Sequence, residues 1–309
     1  MLDLLARVAR HGRLCLVLGL LAGLGLPGIA AVLRPWLPEI VSLLLFLTAF
    51  RIGYRDALGT DLKSAVGAVL ILQLLLPVAA AILFVFWGGG LSPLAVVIVL
   101  VLAAPSVTGA PNFTILLGGD PAVALRLLVL GTAVLPLTTL PVFWLLPQLG
   151  DFQAVLGAAG RLTAVVTGAV GLGFLARHLI APDLKARGTA ALDGLTSIAL
   201  AVVVVALMSA IGPAFQNSPF LLLWWLGAAF AVNFGLQILA HTVLRESGKT
   251  AIATPVGIVA GNRNIALFLV ALPPETTDPL LIFIGCYQFP MYLTPILLRR
   301  LYEHRARPT

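Results

Sequence analysis

Ten apolar runs divided by short polar connections dominate this chain: 14–32, 37–50, 65–86, 91–119, 122–147, 153–179, 189–212, 218–243, 250–272 and 278–301. Most approach the ~20 apolar residues that a helix needs to cross the hydrocarbon core of a bilayer. Only 10% of the residues are charged and 60% are hydrophobic, whereas a soluble domain carries about 25% charged residues. Such a chain cannot cover itself for water. The expectation is an all-α integral membrane protein with ten transmembrane helices, packed in the lipid bilayer. The stretch Met1–Ala31 has the basic start and small-residue end of a signal peptide. Its apolar run is long enough to cross, and it is taken as the first helix.

The net charge of +7 reads as topology and gives no sign of a nucleic-acid surface. Of the 19 basic residues, all but Arg34, Arg126, Arg161 and Arg263 lie in connections that fall on one side of a ten-helix arrangement. Lysine and arginine concentrate on the cytoplasmic side of membrane proteins. An even count with both termini cytoplasmic, in a bacterial inner membrane, satisfies that rule. Only Arg34 and Arg161 fall near the opposite, outer side. Trp36, Trp87 and Trp144 also map to outer ends, where amphipathic rings settle at the interface.

Two of the runs are interrupted. "LAAPSVTGAPNFTILLGGDP" places Pro105 and Pro111 around small and polar residues, so the fourth helix should unwind over 105–112. "TPVGIVAGNRNIALFLVALP" carries Pro255, Gly257, Gly261 and the run Asn262-Arg263-Asn264, and the ninth helix should open near 260–264. After each break come a short apolar arm, a turn with a proline and an acid, and a helix holding further prolines. Two five-helix halves, 1–152 and 153–309, must run in opposite senses if both begin on alternate sides of the membrane. This is the pattern of inverted-repeat secondary transporters, whose unwound helices build the site at midplane. Ser106, Thr108 and Asn112 in the fourth helix, and Asn262, Arg263 and Asn264 in the ninth, are the candidate ligand-binding residues. Gln73 in the third helix joins them, or forms an interhelical hydrogen bond.

Cys15 and Cys286 lie far apart in apolar runs and suggest no disulfide or metal site. The four histidines fall at or beyond helix ends. Without a cluster of acid, base or metal-binding residues, an integral-membrane enzyme is not expected. A channel would share the broken helices but would conduct without saturating.

Around the two breaks, the chain resembles the bile acid:sodium symporter family, as a divergent bacterial-type member. "APSVTGAPNFTILLGGDPAVALRLLVL" followed by "LPLTTLP" is similar to that family's fourth and fifth helices, and "VAGNRNIALFLVAL" to its ninth. The resemblance implies a four-helix panel (first, second, sixth and seventh) beside a six-helix core (third, fourth, fifth, eighth, ninth and tenth). The fourth and ninth helices would cross within the core, and an organic anion would bind between panel and core. It also brings sodium, but not the ligands for it. The family's sodium-binding glutamate and glutamine fall on Val259 and Arg263, and its Ser-Asn pair on Ala110 and Pro111. Two later hydroxyl positions fall on Ala124 and Leu128. Only the asparagine survives, as Asn264.

A charge at the bilayer centre costs at least ~2.5 kcal/mol, so Arg263 needs a reason to be there. One reading has its guanidinium occupy the space sodium takes in relatives, tying the crossing together through carbonyls and the amides of Asn112, Asn262 and Asn264. The other makes it a purely structural bridge between helix ends. The expected function is alternating-access transport of a small organic anion without sodium coupling and without a cofactor. Sodium-dependent, bile acid-like symport is the alternative.

Overall fold

The computed structural model describes residues 2–53, 62–87, 92–146 and 152–303. Arg55, Arg305, Arg307 and the loop at 88–90 lie outside them. Among the described residues the chain is helical, and its strand-like pairing is confined to one isolated bridge. The helices are α1 (Leu2–Arg10), α2 (Gly12–Gly25), α3 (Pro27–Ile52), α4 (Leu62–Phe86), α5 (Pro93–Ala103), α6 (Ala110–Leu116) and α7 (Pro121–Trp144). They continue as α8 (Phe152–Ile180), α9 (Ala186–Asn217), α10 (Pro219–Glu246), α11 (Thr250–Gly261), α12 (Phe268–Ala271) and α13 (Leu281–Leu297). Among the described residues, seven helices are long and apolar enough to span a bilayer, and three shorter apolar ones accompany them. The chain is an integral membrane protein.

The first two expected helices divide differently. The chain breaks at Leu26, whose φ of −127° and ψ of 66° take it out of the helix, and the next helix starts with Pro27. A residue before proline is disfavoured in the α region, and proline at the first helical position costs nothing. The expected gap at 33–36 is only a 3₁₀ stretch, Arg34–Trp36, inside α3. The helix Leu2–Arg10 was not anticipated. It lies along α9, where Gly194 permits the approach: a Cβ there would sit 1.9 Å from the Leu5 carbonyl oxygen.

The remaining helices fall into two groups by contact. The long helices α8 and α9 pack against α3, and α9 also covers α1 and α2. In the other group α10 packs on α11 and α13, while α7 packs on α4, α6 and α11. Sequence-adjacent α7 and α8, and the short α12 against α3 and α8, join the groups.

Prolines do not end the long helices. Pro136 and Pro141 lie within α7, and Pro290 and Pro295 within α13. Each removes one backbone donor. The carbonyls left without a helical donor are those four residues earlier, on Thr132, Leu137, Cys286 and Met291.

Candidate functional site: the crossing of two broken helices

Both expected interruptions are present. Helix α5 ends at Ala103, and Ala104 turns extended with ψ of 148°. Helix resumes at Ala110 with Pro111 in its first turn, so Pro111 starts the second arm and does not break the first. In the other half α11 ends at Gly261, Asn262–Asn264 are non-helical, and a 3₁₀ turn at Ile265–Leu267 leads into α12.

The unwound segments meet as a short antiparallel bridge between Ser106 and Arg263. The Val107 N–H donates to the Asn262 carbonyl at 3.0 Å, and the Asn264 N–H to the Pro105 carbonyl at 2.8 Å. Irregular backbone is tolerated at membrane depth only where it is buried in protein or lines a cavity. Here each break supplies the partners the other lacks.

Arg263 completes the accounting. It is 3% exposed. Its Nε donates to the Ala260 carbonyl at 2.9 Å, Nη1 to Ala104 at 2.9 Å and Nη2 to Leu72 at 3.2 Å. All three oxygens have lost helical donors. The Asn264 N–H that would serve Ala260 has gone to Pro105, and Ala104 lies past the end of α5. In α4 a π-helical turn spans Ile71–Leu75, and the Leu76 N–H bonds back to Ile71. The next residue, Pro77, has no N–H to offer Leu72. An unmet buried carbonyl costs ~1–3 kcal/mol, and one planar guanidinium with five donors answers three of them.

The expected asparagine ligands of Arg263 are therefore replaced by main-chain oxygens. The Asn262 side chain turns the other way, donating to Ile258 at 2.9 Å and accepting from Thr294 at 3.3 Å. Asn112 is exposed on α6 and Asn264 half-buried. Gln73 is buried and donates to the Gly131 carbonyl at 2.8 Å and to Thr138 Oγ1 at 3.1 Å, tying α4 to α7. Ser106 is buried in the bridge. Val259 and Ala110 are buried apolar residues, and Pro111 is half-buried on the cavity wall.

Polar residues of α10 and α13 that sequence reasoning passed over support the second break. Asn233 Nδ2 donates to the Gly261 carbonyl at 2.6 Å, and the Tyr287 hydroxyl donates to the same oxygen. Gln237 joins Asn233 to Thr294, at 2.7 and 2.9 Å. Asn233 and Gln237, four apart within the apolar run from Phe220 to Ala240, were the available signal.

A cavity of about 700 Å³ opens beside the crossing. Arg263, Asn264, Thr108 and Asn112 line its wall on one side, with Gln288 and Tyr292 from α13. Residues of α3 and α9 form the other side. Arg10, His11, Arg51 and Asp193 also line it, at the charged ends of α1, α3 and near the start of α9. Asp193 is ion-paired with Arg51. No acidic partner of Arg263 occurs among the described residues. Much of the lining is apolar, so the chamber suits a ligand with an apolar body and a negative group.

A scan against known protein families finds no matching family model, and no characterised protein matches the chain.

Proposed function

We propose that this protein is a secondary transporter of small organic anions, such as carboxylates or sulfonates, working by alternating access without sodium. The observation that carries this reading is the Arg263 guanidinium. It lies at the crossing of two broken helices, borders the cavity and has no carboxylate partner among the described residues. An anion ~5 Å away would gain roughly 3 kcal/mol at an effective dielectric of about 20, and a cation would lose as much. Three carbonyls that could coordinate a metal ion already hold a fixed positive charge, which never dissociates at physiological pH.

In this reading ten crossings form two inverted repeats, 1–152 and 153–309. Seven long spans, the three shorter apolar helices and the matched breaks support that count. The group containing α2, α3, α8 and α9 acts as the panel, and the group around α4 to α7 and α10 to α13 as the core. This is the arrangement of the bile acid:sodium symporter family, to which we assign the chain as a member lacking sodium ligands. The basic ends of α1 and α3 face the cytoplasm of a bacterial inner membrane, so the cavity opens inward.

Uptake of a carboxylate and sulfonate panel into proteoliposomes, with and without a sodium gradient, tests the proposal. Saturable, sodium-independent uptake that Arg263→Gln lowers or makes sodium-responsive is expected. An absolute sodium requirement would establish symport instead. Non-saturating flux would indicate a channel, and failure of every anion would discard the substrate class.

A further inference from the structure

The two arginines that fall near the outer side, Arg34 and Arg161, both grip the same connection. Arg34, in the 3₁₀ stretch of α3, pairs through Nη2 with Asp278 at 2.5 Å. Arg161, on α8, donates through both Nε and Nη2 to the Ala271 carbonyl, at 3.0 and 2.8 Å. Ala271 ends α12 and Asp278 lies just before α13. One connection of the core is thus held from two different panel helices.

Both contacts lie far from the cavity mouth. Arg34 and Arg51 are 17 residues apart in α3, ~25 Å at 1.5 Å per residue, and only Arg51 lines the cavity. Arg161 and Arg177 are separated by 16 residues of α8, ~24 Å. Arg177 lies at the Arg51 end, beside Gly53: a Cβ at Gly53 would be 3.5 Å from Arg177 Cγ. Leu37, Phe268 and Ile284, none of which lines the cavity, belong to one buried apolar cluster that joins panel and core helices, and Leu207 of the same cluster borders the cavity. An apolar layer gives way when helices separate, but it offers no directional bond to hold one registry. Arg34 and Arg161 supply that bond.

We propose that Arg34–Asp278 and Arg161–Ala271 form a two-point latch that holds the outer face shut while the cavity is open on the other side. The latch rests on the transporter reading and adds the residues that set its conformational balance. Outward opening must break both contacts, because each joins panel to core across the face that would part.

The test is a labelling experiment that needs no substrate. Asn112→Cys places a reporter on the cavity wall in a background lacking Cys15 and Cys286, and an impermeant maleimide is applied to each face of oriented vesicles. The protein with its latch intact is expected to label from the Arg51 face alone. Arg34→Asp should raise labelling from the opposite face roughly two- to fivefold, and Arg161→Gln by about tenfold or more. The swap Arg34→Asp with Asp278→Arg should return it to the starting level. Retained labelling from the Arg51 face shows that each variant is folded, and Arg34→Gln with Asp278→Asn replaces any that is not. One-sided labelling that the variants leave unchanged, or a swap that fails to restore closure, would overturn the latch alone. Equal labelling of the unaltered latch from both faces would overturn the latch and the transporter reading together.

Discussion

The guanidinium of Arg263 spans 191 positions of sequence to reach the carbonyl of Leu72, an oxygen that the π-turn of α4 and the missing N–H of Pro77 leave without a helical donor. Three helices thereby share one cation: α4 through Leu72, the end of α5 through Ala104, and α11 through Ala260. The charge is held by dipoles, so its field remains available to the cavity.

Replacing Arg263 by lysine keeps the charge and loses the fork. A compact ammonium cannot reach three carbonyls set around a planar group. Hydrogen bonds to charged groups contribute about 1.5–3 kcal/mol each, so the loss of two should lower stability by about 3 kcal/mol or more. Thermal unfolding of Arg263→Lys in detergent measures this, and an unchanged midpoint would mean that the carbonyls do not depend on the fork.

Gln73 belongs to the scaffold. Its two bonds to α7 cross between helices inside the bilayer, where such bonds average ~0.6 kcal/mol each. Gln73→Leu should cost about 1 kcal/mol in unfolding experiments and leave the KM for any transported anion unaltered. A KM that rises with no loss of stability would move Gln73 into the binding site.

Gly261 sits where α11 presses on α10. A Cβ there would lie 2.2 Å from the Asn233 carbonyl oxygen and 2.4 Å from Gln237 Cγ. Backbone cannot yield cheaply, and overpacking costs about 1–3 kcal/mol. Gly261→Ala should therefore reduce the folded fraction in size-exclusion chromatography and slow uptake, because the displaced Asn262 carbonyl leaves the Val107 N–H. Normal folding and uptake would show that the helices separate freely.

Asn112 makes the opposite case. Exposed on the cavity wall, it has little to lose structurally. Asn112→Leu should raise KM roughly two- to tenfold, the effect of one lost neutral hydrogen bond, with the melting midpoint unchanged. An unaffected KM would remove Asn112 from the ligand's path.

The apolar runs declared the membrane, and the polar interruptions declared where two helices would open, because lipid admits no unpaired backbone and a run with Pro105 or Asn262-Arg263-Asn264 cannot stay regular and hidden. The same logic misplaced the first boundary. Arg34-Pro35 looks like a loop in a hydropathy reading, yet proline is at ease early in a helical turn, and the chain breaks at Leu26 instead.

Composition and spacing alone fixed the solvent, the helical class and the two interrupted spans, since these follow from the short-range rule that peptide groups in hydrocarbon must bond within their own segment. Folding in three dimensions decided which oxygen each freed donor would meet. Leu72, Ala104 and Ala260 converge on Arg263, and Ala271 and Asp278 converge on two distant arginines. Those partnerships depend on how helices remote in sequence cross, and no local pattern encodes a crossing.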